Sequence, residues 1–472
     1  MQDSQVSRRT FHKIAATGAA AASALSSRIA NAHEQQAPGL LAGAAEVIAD
    51  LPAEGTFLIG PMQKSEGVHD PLYIRALVLS DGETKLAIVT NDLLGFDFEY
   101  NDQIVDAIHQ RTGIPKPQIM INCSHNHSAP LTIPWSESWE KKKDKPWHKT
   151  LPVQFADVVE KAAKQMVPAT VRCRREPTQI SFNRRIEAAH GMTMGPNPDG
   201  DQIPWTDAVY LKTVGTDYPI GVLYSYAAHP VIVHGASRQI SADYPGFANG
   251  HIRGAMNYRP QEGKSLKNGI PMFAQGCCGD INGFPLRSGI EAARGAGRDL
   301  GHAVIRALQK KPDFVQGRLR VANRELSLPL QPSPSVAECE KMIAERPHHL
   351  PCRTLLEIAK SGTPQFLRLP MQGFALGDDL CILGMAHEPF AAYQLHADKI
   401  SPFRHTLVLG YTGGCESYLA TADAYRMGPR GGYEASPQGA AFFYKHRLPC
   451  KPEVEVQIRE GIAGIFRDLK PV

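Results

Sequence analysis

An apolar run, Gln118–Ile119–Met120–Ile121–Asn122–Cys123, leads directly into Ser124–His125–Asn126–His127–Ser128. In extended backbone, residues two apart point the same way roughly 6.5–7 Å from each other. The spacing therefore predicts both imidazoles facing one site, with one able to bind a metal and the other to touch a substrate. The plainer alternative is a pair of exposed histidines at a strand end. A second run, Gly221–Tyr226, also delivers a histidine, His229, just before Pro230. Taken alone, a histidine such as His229 is more often a satisfied core residue than a ligand. Leu380–Met385 ends in Ala386–His387–Glu388–Pro389, which places a carboxylate past a buried-looking stretch. Phe273–Gly283 is a glycine-rich loop around Asp280 whose glycines permit close backbone approach. It lacks the spacing of a phosphate-binding fingerprint. Gly410–Thr421 and Tyr433–Glu434 add phenols near glycine turns. Two imidazoles and a carboxylate form a zinc set known from hydrolases, with one coordination position left for water.

These groups need a scaffold that brings distant strand ends together. Short β-branched or apolar runs recur at Ile74–Leu79, Lys85–Thr90, Gln118–Cys123, Ala208–Thr213, Ile220–Ala227, Met272–Ala274, Leu380–Met385 and His405–Leu409. Helix-period stretches lie between them at Tyr100–Arg111, Val153–Gln165, Ile290–Gln309, Val336–Glu345 and Pro452–Phe466. The alternation predicts an α/β protein with a mixed β-sheet core and flanking helices, and a helical excursion over Gln331–Pro364. In such sheets, ligands gather where strands stop and side chains converge.

Composition limits the function. With 472 residues, 43% hydrophobic and 21% charged, the chain can bury a large core. The formal charge is +4, but Arg8, Arg9, Lys13 and Arg28 against Asp3 put +3 of it in residues 1–32. The rest is nearly neutral and has no general field for nucleic acid or an anionic membrane. The run Lys141–Lys142–Lys143, with Lys145 and Lys149, is interleaved with Glu140 and Asp144 and reads as a solvated loop. Trp135, Trp139 and Trp147 cluster after the His-x-His, where they suit either a lid over the site or a loop packed on the body. The nine cysteines contain no C-x-x-C pair and are odd in number, so one thiol at least stays unbridged within the chain.

Ser7–Arg8–Arg9–Thr10–Phe11–His12–Lys13, an alanine-rich stretch to Leu25 and Ala30–Asn31–Ala32 form a twin-arginine export pattern. The expected division is a signal peptide over residues 1–32 and a single catalytic domain over 33–472. A periplasmic or secreted location is expected, with no transmembrane anchor after cleavage. The export route carries folded proteins, which suits a protein loaded with a metal.

His125–Asn126–His127–Ser128–Ala129–Pro130 resembles the His-Thr-His-Ser-Gly-Pro element of the neutral/alkaline ceramidase family. Gly67–Val68–His69, Phe182–Asn183–Arg184, Gly279–Asp280–Ile281–Asn282 and Tyr418–Leu419–Ala420–Thr421 through Tyr433–Glu434 are similar to further family elements, in the family's order. The resemblance spans about Gly55 to Ser436. It implies one Zn2+ held by His125, His229, Glu388 and Tyr418, with His127, Arg184 and Tyr433 around the scissile group. Asn282 stands where the family has a serine, and an amide cannot attack as a hydroxyl can. The chain is also expected to carry the catalytic domain without the family's C-terminal immunoglobulin-like domain.

The implied chemistry is attack of zinc-activated water on an amide or ester carbonyl of a small-molecule or lipid-like substrate. Arg184 and Tyr433 would stabilise the developing charge, and His127 would shuttle the proton. Asp280 and Asp92 would fix the ligand tautomers, or else merely cap a helix and close a turn. The alternatives are a metal enzyme of the same fold acting on carbohydrate or another small molecule, and a non-catalytic metal-dependent binding protein.

Overall fold

The strand Tyr73–Ser80 is apolar on both faces, so it needs cover on both sides. Ile74, Ala76 and Val78 enter one core cluster, whereas Leu77 and Leu79 enter another. Its neighbour Lys85–Asn91 divides the same way, Ala87 and Val89 against Leu86 and Ile88. The period-2 alternation is therefore read by two different partner layers.

The structure is a computed structural model that describes residues 39–132, 146–259, 264–265, 269–347 and 349–470. The leader pattern, Lys141–Lys142–Lys143, Trp135 and Trp139 lie outside the described residues. Among the described residues the largest sheet has nine strands. Its order is Ile270–Gln275, Pro219–Tyr226, Trp205–Thr213, Val167–Pro177, Leu41–Ile48, Tyr73–Ser80, Lys85–Asn91 and Ile119–Cys123, with Asp313–Val315 also paired to Val167–Pro177. The two outer pairs are parallel and the inner ones antiparallel.

One face of this sheet lies against a four-stranded sheet of Leu319–Pro329, Phe366–Leu376, Leu380–Met385 and His405–Leu409. The other face is covered by helices. Phe98–Thr112 and Pro146–Lys164 cover one half, and Asp243–Asn257 with Ile290–Gln309 cover the other. The helix Val454–Leu469 closes the outer face of the smaller sheet. It sits close because a Cβ on Gly373 would lie 2.4 Å from Ile465. The layers thus run helix, sheet, sheet, helix.

The mixed sheet and its helices agree with the sequence reading, and the excursion is present as helices Val336–Glu345 and Leu350–Ser361. The second sheet was not anticipated, because Leu319–Pro329 and Phe366–Leu376 carry arginine, glutamate and glutamine among their apolar residues. Trp147 packs into the core and is 9% exposed, which answers the lid question for that residue. All nine cysteines are buried and none is bridged. Among the described residues, no helix is long and apolar enough to cross a membrane.

Two buried amides fasten the sheets together where their strands end. Asn122 Nδ2 donates to Gln275 O at 3.2 Å, Gly410 O at 2.7 Å and Thr412 Oγ1 at 3.2 Å, and its Oδ1 accepts from Gln275 N at 2.8 Å. Gln275 Nε2 donates to Ser124 O at 2.6 Å and Ala228 O at 2.9 Å. Both residues are fully buried, so each of these bonds forms in a low-dielectric setting.

Candidate active site

Beyond those amides, three strand ends turn sharply through a residue in the left-handed region. His125 has φ 61°, His387 φ 70° and Tyr411 φ 50°, a costly conformation for non-glycine residues that clusters at functional positions. The His-x-His pair is therefore not extended, as the spacing argument expected. The strand stops at Cys123 and the turn at His125 brings the two rings to 5.1 Å between centroids.

His229 reaches the same place from Pro219–Tyr226. Its backbone is held by Ile281 O and Gly283 N, in a bridge opposite Asn282. Glu388 arrives in a short parallel pair, Glu388–Pro389 with Tyr418–Leu419, which sets Glu388 beside Tyr418. His387 assists from behind. Its Nδ1 accepts from Glu416 N at 3.0 Å and its Nε2 donates to Arg368 O at 2.7 Å.

The centre is one carboxylate oxygen. Glu388 Oε2 lies 3.2 Å from His125 Nε2 and 3.0 Å from His229 Nε2. His125 Nδ1 bonds Leu94 O at 2.8 Å, and His229 Nδ1 bonds Cys278 O at 2.7 Å and Ile281 O at 3.0 Å. A carbonyl only accepts, so each Nδ1 carries the hydrogen. In a neutral imidazole, each Nε2 then presents a lone pair. Burial, with Arg184 nearby, brings His229 down to about 4, so it is neutral at pH 7. Two nitrogen lone pairs and a carboxylate converge where only a cation satisfies all three. This donor chemistry fits zinc.

Asp280 and Asp92, expected to fix these tautomers, do not touch the imidazoles; backbone carbonyls do that work. Asp280 Oδ1 accepts from Ala391 N at 2.8 Å and Oδ2 from Asn183 Nδ2 at 3.0 Å, which ties the glycine loop to the segment after Glu388. Asp92 pairs with Arg75 at 2.9 Å and accepts from Tyr73 N. Both are buried scaffold carboxylates.

The other expected residues lie around the centre. His127 lines a cavity of about 1350 Å³ together with Arg184, Asn282, Tyr418 and Tyr433. Its ring nitrogen falls within 4.8 Å of those of His125 and His229. Burial and the neighbouring imidazoles hold it below the usual histidine range. Arg184 is buried and donates from Nε to Glu434 at 2.8 Å, and from its two terminal nitrogens to Asn282 Oδ1 at 3.0 Å and Tyr418 Oη at 3.1 Å. Tyr433 is 45% exposed, its ring 6.0 Å from that of Tyr418.

Two phenols escaped the sequence reading as partners of Glu388. Tyr411 Oη donates to Oε2 at 3.2 Å, and Tyr444 Oη donates to Oε1. Tyr411 was noted only as a phenol near a glycine turn, and Tyr444 gave no signal. Cys415, grouped with His125 and Glu388 within 4.8 Å, is a further possible donor, but burial pushes its thiol well up and keeps it protonated.

Gly279 lies against this centre, where an added Cβ would sit 2.5 Å from Glu388 O. Gly279→Ala is expected to cost about 1–3 kcal/mol by overpacking and to lower metal stoichiometry; unfolding midpoints and metal analysis check both. Glu416 supports His387 from below. Burial opposes its ionisation, but His446 at 2.9 Å, Lys445 and the Phe98 amide bring it down to about 2 from 4.5. A lowered carboxyl stabilises the fold above pH 4.5, and that contribution is lost as pH falls through about 2. Glu416→Gln should flatten the loss of stability across this window in denaturant titrations at stepped pH.

The fold and site define a hydrolase-type architecture, in which a buried His/His/Glu centre at converging strand ends lies behind His127, Arg184 and Tyr418 on the wall of a large, mostly apolar cavity. The family model for the neutral/alkaline non-lysosomal ceramidase N-terminal region matches residues 58–285. The crystal structure of neutral ceramidase from Pseudomonas aeruginosa superposes with a TM-score of 0.69 at 16% identity, covering 93% of this chain and 76% of that one. A ceramidase complexed with C2 matches at TM-score 0.69 and 17% identity, over 92% and 76%. At such identities the likeness establishes a shared fold. The match to that family model, together with the shared fold, supports a hydrolase of ceramidase type.

Proposed function

We propose that the chain is a zinc-dependent hydrolase that opens an amide or ester bond in a lipid-like substrate. The observation that carries this reading is the convergence of two imidazole lone pairs and the Glu388 carboxylate beside a cavity walled by Phe57, Ile59, Leu131, Val231 and Phe443. His125, His229 and Glu388 would hold the metal, with Tyr418 as the fourth donor. Bound there, zinc supplies Lewis acidity, lowering the pKa of a water molecule toward about 7.

The remaining work falls to the chain. His127, neutral and at the cavity wall, accepts the proton released as water attacks and returns it to the leaving group. Arg184 is fixed by Glu434 and Asn282 before substrate arrives, so its charge is already aimed when negative charge develops on the carbonyl oxygen. Tyr433, at the cavity wall, offers a second hydroxyl donor. The apolar walls exclude water from the acyl chain. Asn282 has no nucleophilic role here: its Oδ1 is occupied by Arg184.

Export belongs to the same proposal. The twin-arginine pattern in residues 1–32 supports passage of a folded, metal-loaded chain to the periplasm or beyond. The test of the function is metal analysis of purified protein followed by chelation. Zinc near one per chain, hydrolysis of N-acyl amides, loss on chelation and recovery on zinc addition are expected. A protein that hydrolyses equally well after complete metal removal would refute the proposal.

A further inference from the structure

The cavity has a polarity that the hydrolytic centre does not require. Among the described residues that line it, none is an aspartate or glutamate, whereas Arg184, Arg238 and Arg287 are present with His127, His234 and His349. Two of the arginines are already matched, Arg184 by Glu434 and Arg238 by Glu66. Arg287 makes no ion pair with another described residue.

Arg287 is held in place nevertheless. Its backbone adopts φ 53°, its amide donates to Val231 O at 3.1 Å, and Ser288 and Gly289 both donate to Ile232 O. The loop is thereby fastened to the segment that follows His229. A non-glycine residue kept in a costly conformation by three backbone bonds is positioned, not merely solvated.

Its neighbours on the wall are donors as well. Gly235 N donates to His234 Nδ1 at 2.7 Å, so the neutral His234 ring carries its hydrogen on Nε2. The Asn282 oxygen must face the Arg184 guanidinium, which only donates, and this leaves the amide's NH2 as its remaining polar group. Arg287, His234 and Asn282 therefore present hydrogens and positive charge with no opposing carboxylate.

Resting on the hydrolase reading above, we infer that the substrate is an anionic amphiphile, an N-acyl amino acid in chemical class, whose carboxylate is recognised by Arg287 together with His234 and Asn282. Hydrolysis then breaks the amide C–N bond. Water gives its oxygen to the acyl carbon, its protons go to the departing nitrogen and the medium, and a fatty acid and a free amino acid result.

The test compares N-dodecanoylglycine with N-dodecanoylethanolamine, which share a chain and differ in charge. Binding of each to the chelator-treated full chain is measured by calorimetry, and kcat/KM of each with the zinc-loaded enzyme. The glycine conjugate should bind and react about tenfold better, the worth of one charge-assisted hydrogen bond, with an advantage that shrinks as salt rises. Arg287→Gln should bring the ratio close to one, and Arg287→Glu should reverse it. Arg287 is exposed, so neither change threatens the core. Equal binding of the two amides, or a preference untouched by both substitutions, overturns the inference even if both are hydrolysed. A salt-sensitive preference lost in Arg287→Gln with neither amide hydrolysed sustains it and refutes the hydrolase reading instead.

Discussion

Replacing Glu388 with alanine should empty the metal site and reduce hydrolysis about a thousandfold or more, because the negatively charged donor and the Lewis acidity it retains are lost together. The carboxylate is the common neighbour of His125 Nε2, His229 Nε2, Tyr411 Oη and Tyr444 Oη. Its removal also leaves two buried phenol hydroxyls without their acceptor, at a cost of about 1–3 kcal/mol each. Zinc stoichiometry and a denaturant midpoint measured on the same preparation separate the two effects. Glu388→Gln keeps an acceptor for one of the two phenols and should recover part of the stability while still failing to hold zinc. Full zinc content in either variant would show that the cation sits elsewhere.

Arg184→Ala should behave differently, keeping zinc and lowering kcat by about 100- to 1,000-fold, as when a preorganised charge donor is withdrawn from a developing oxyanion. The guanidinium serves Glu434, Asn282 and Tyr418 at once. Arg184→Lys retains the charge but cannot reproduce a planar fork with three partners, so it should recover little of the rate. Glu434 remains paired with Arg185 at 2.6 Å in both variants, which limits the loss of stability. The informative reading is kcat against KM with metal content held constant. A fall confined to KM would make Arg184 a binding group and remove it from the charge-stabilising role.

What could be read from the sequence depended on whether the signal was local. His125, His229 and Glu388 each follow an apolar run and precede a serine, proline or turn, so their strand-end placement was visible before folding. Arg184 and Tyr418 came from resemblance, since neither stands out by spacing. The His-x-His geometry was misjudged because a φ of 61° at a histidine leaves no mark in residue type, as a glycine would. Tyr444 sits in Ala440–Ala441–Phe442–Phe443–Tyr444, which reads as ordinary core, and only the tertiary fold brings its hydroxyl to a carboxylate 56 residues away. Asp280 and Asp92 looked like partners of the ligands because carboxylates commonly orient metal-bound imidazoles. Here main-chain carbonyls at Leu94, Cys278 and Ile281 were closer, and no sequence pattern announces a carbonyl.

The amides of Asn122 and Gln275 tie the hydrolytic centre to the part of the protein that opens last. Because they join strand ends from both sheets, that centre has no small unfolding unit of its own. Protons on the main chain at Ser124, Ala228 and Gln275 should exchange with solvent only through global opening, and the temperature at which activity disappears should coincide with the temperature at which the whole molecule melts.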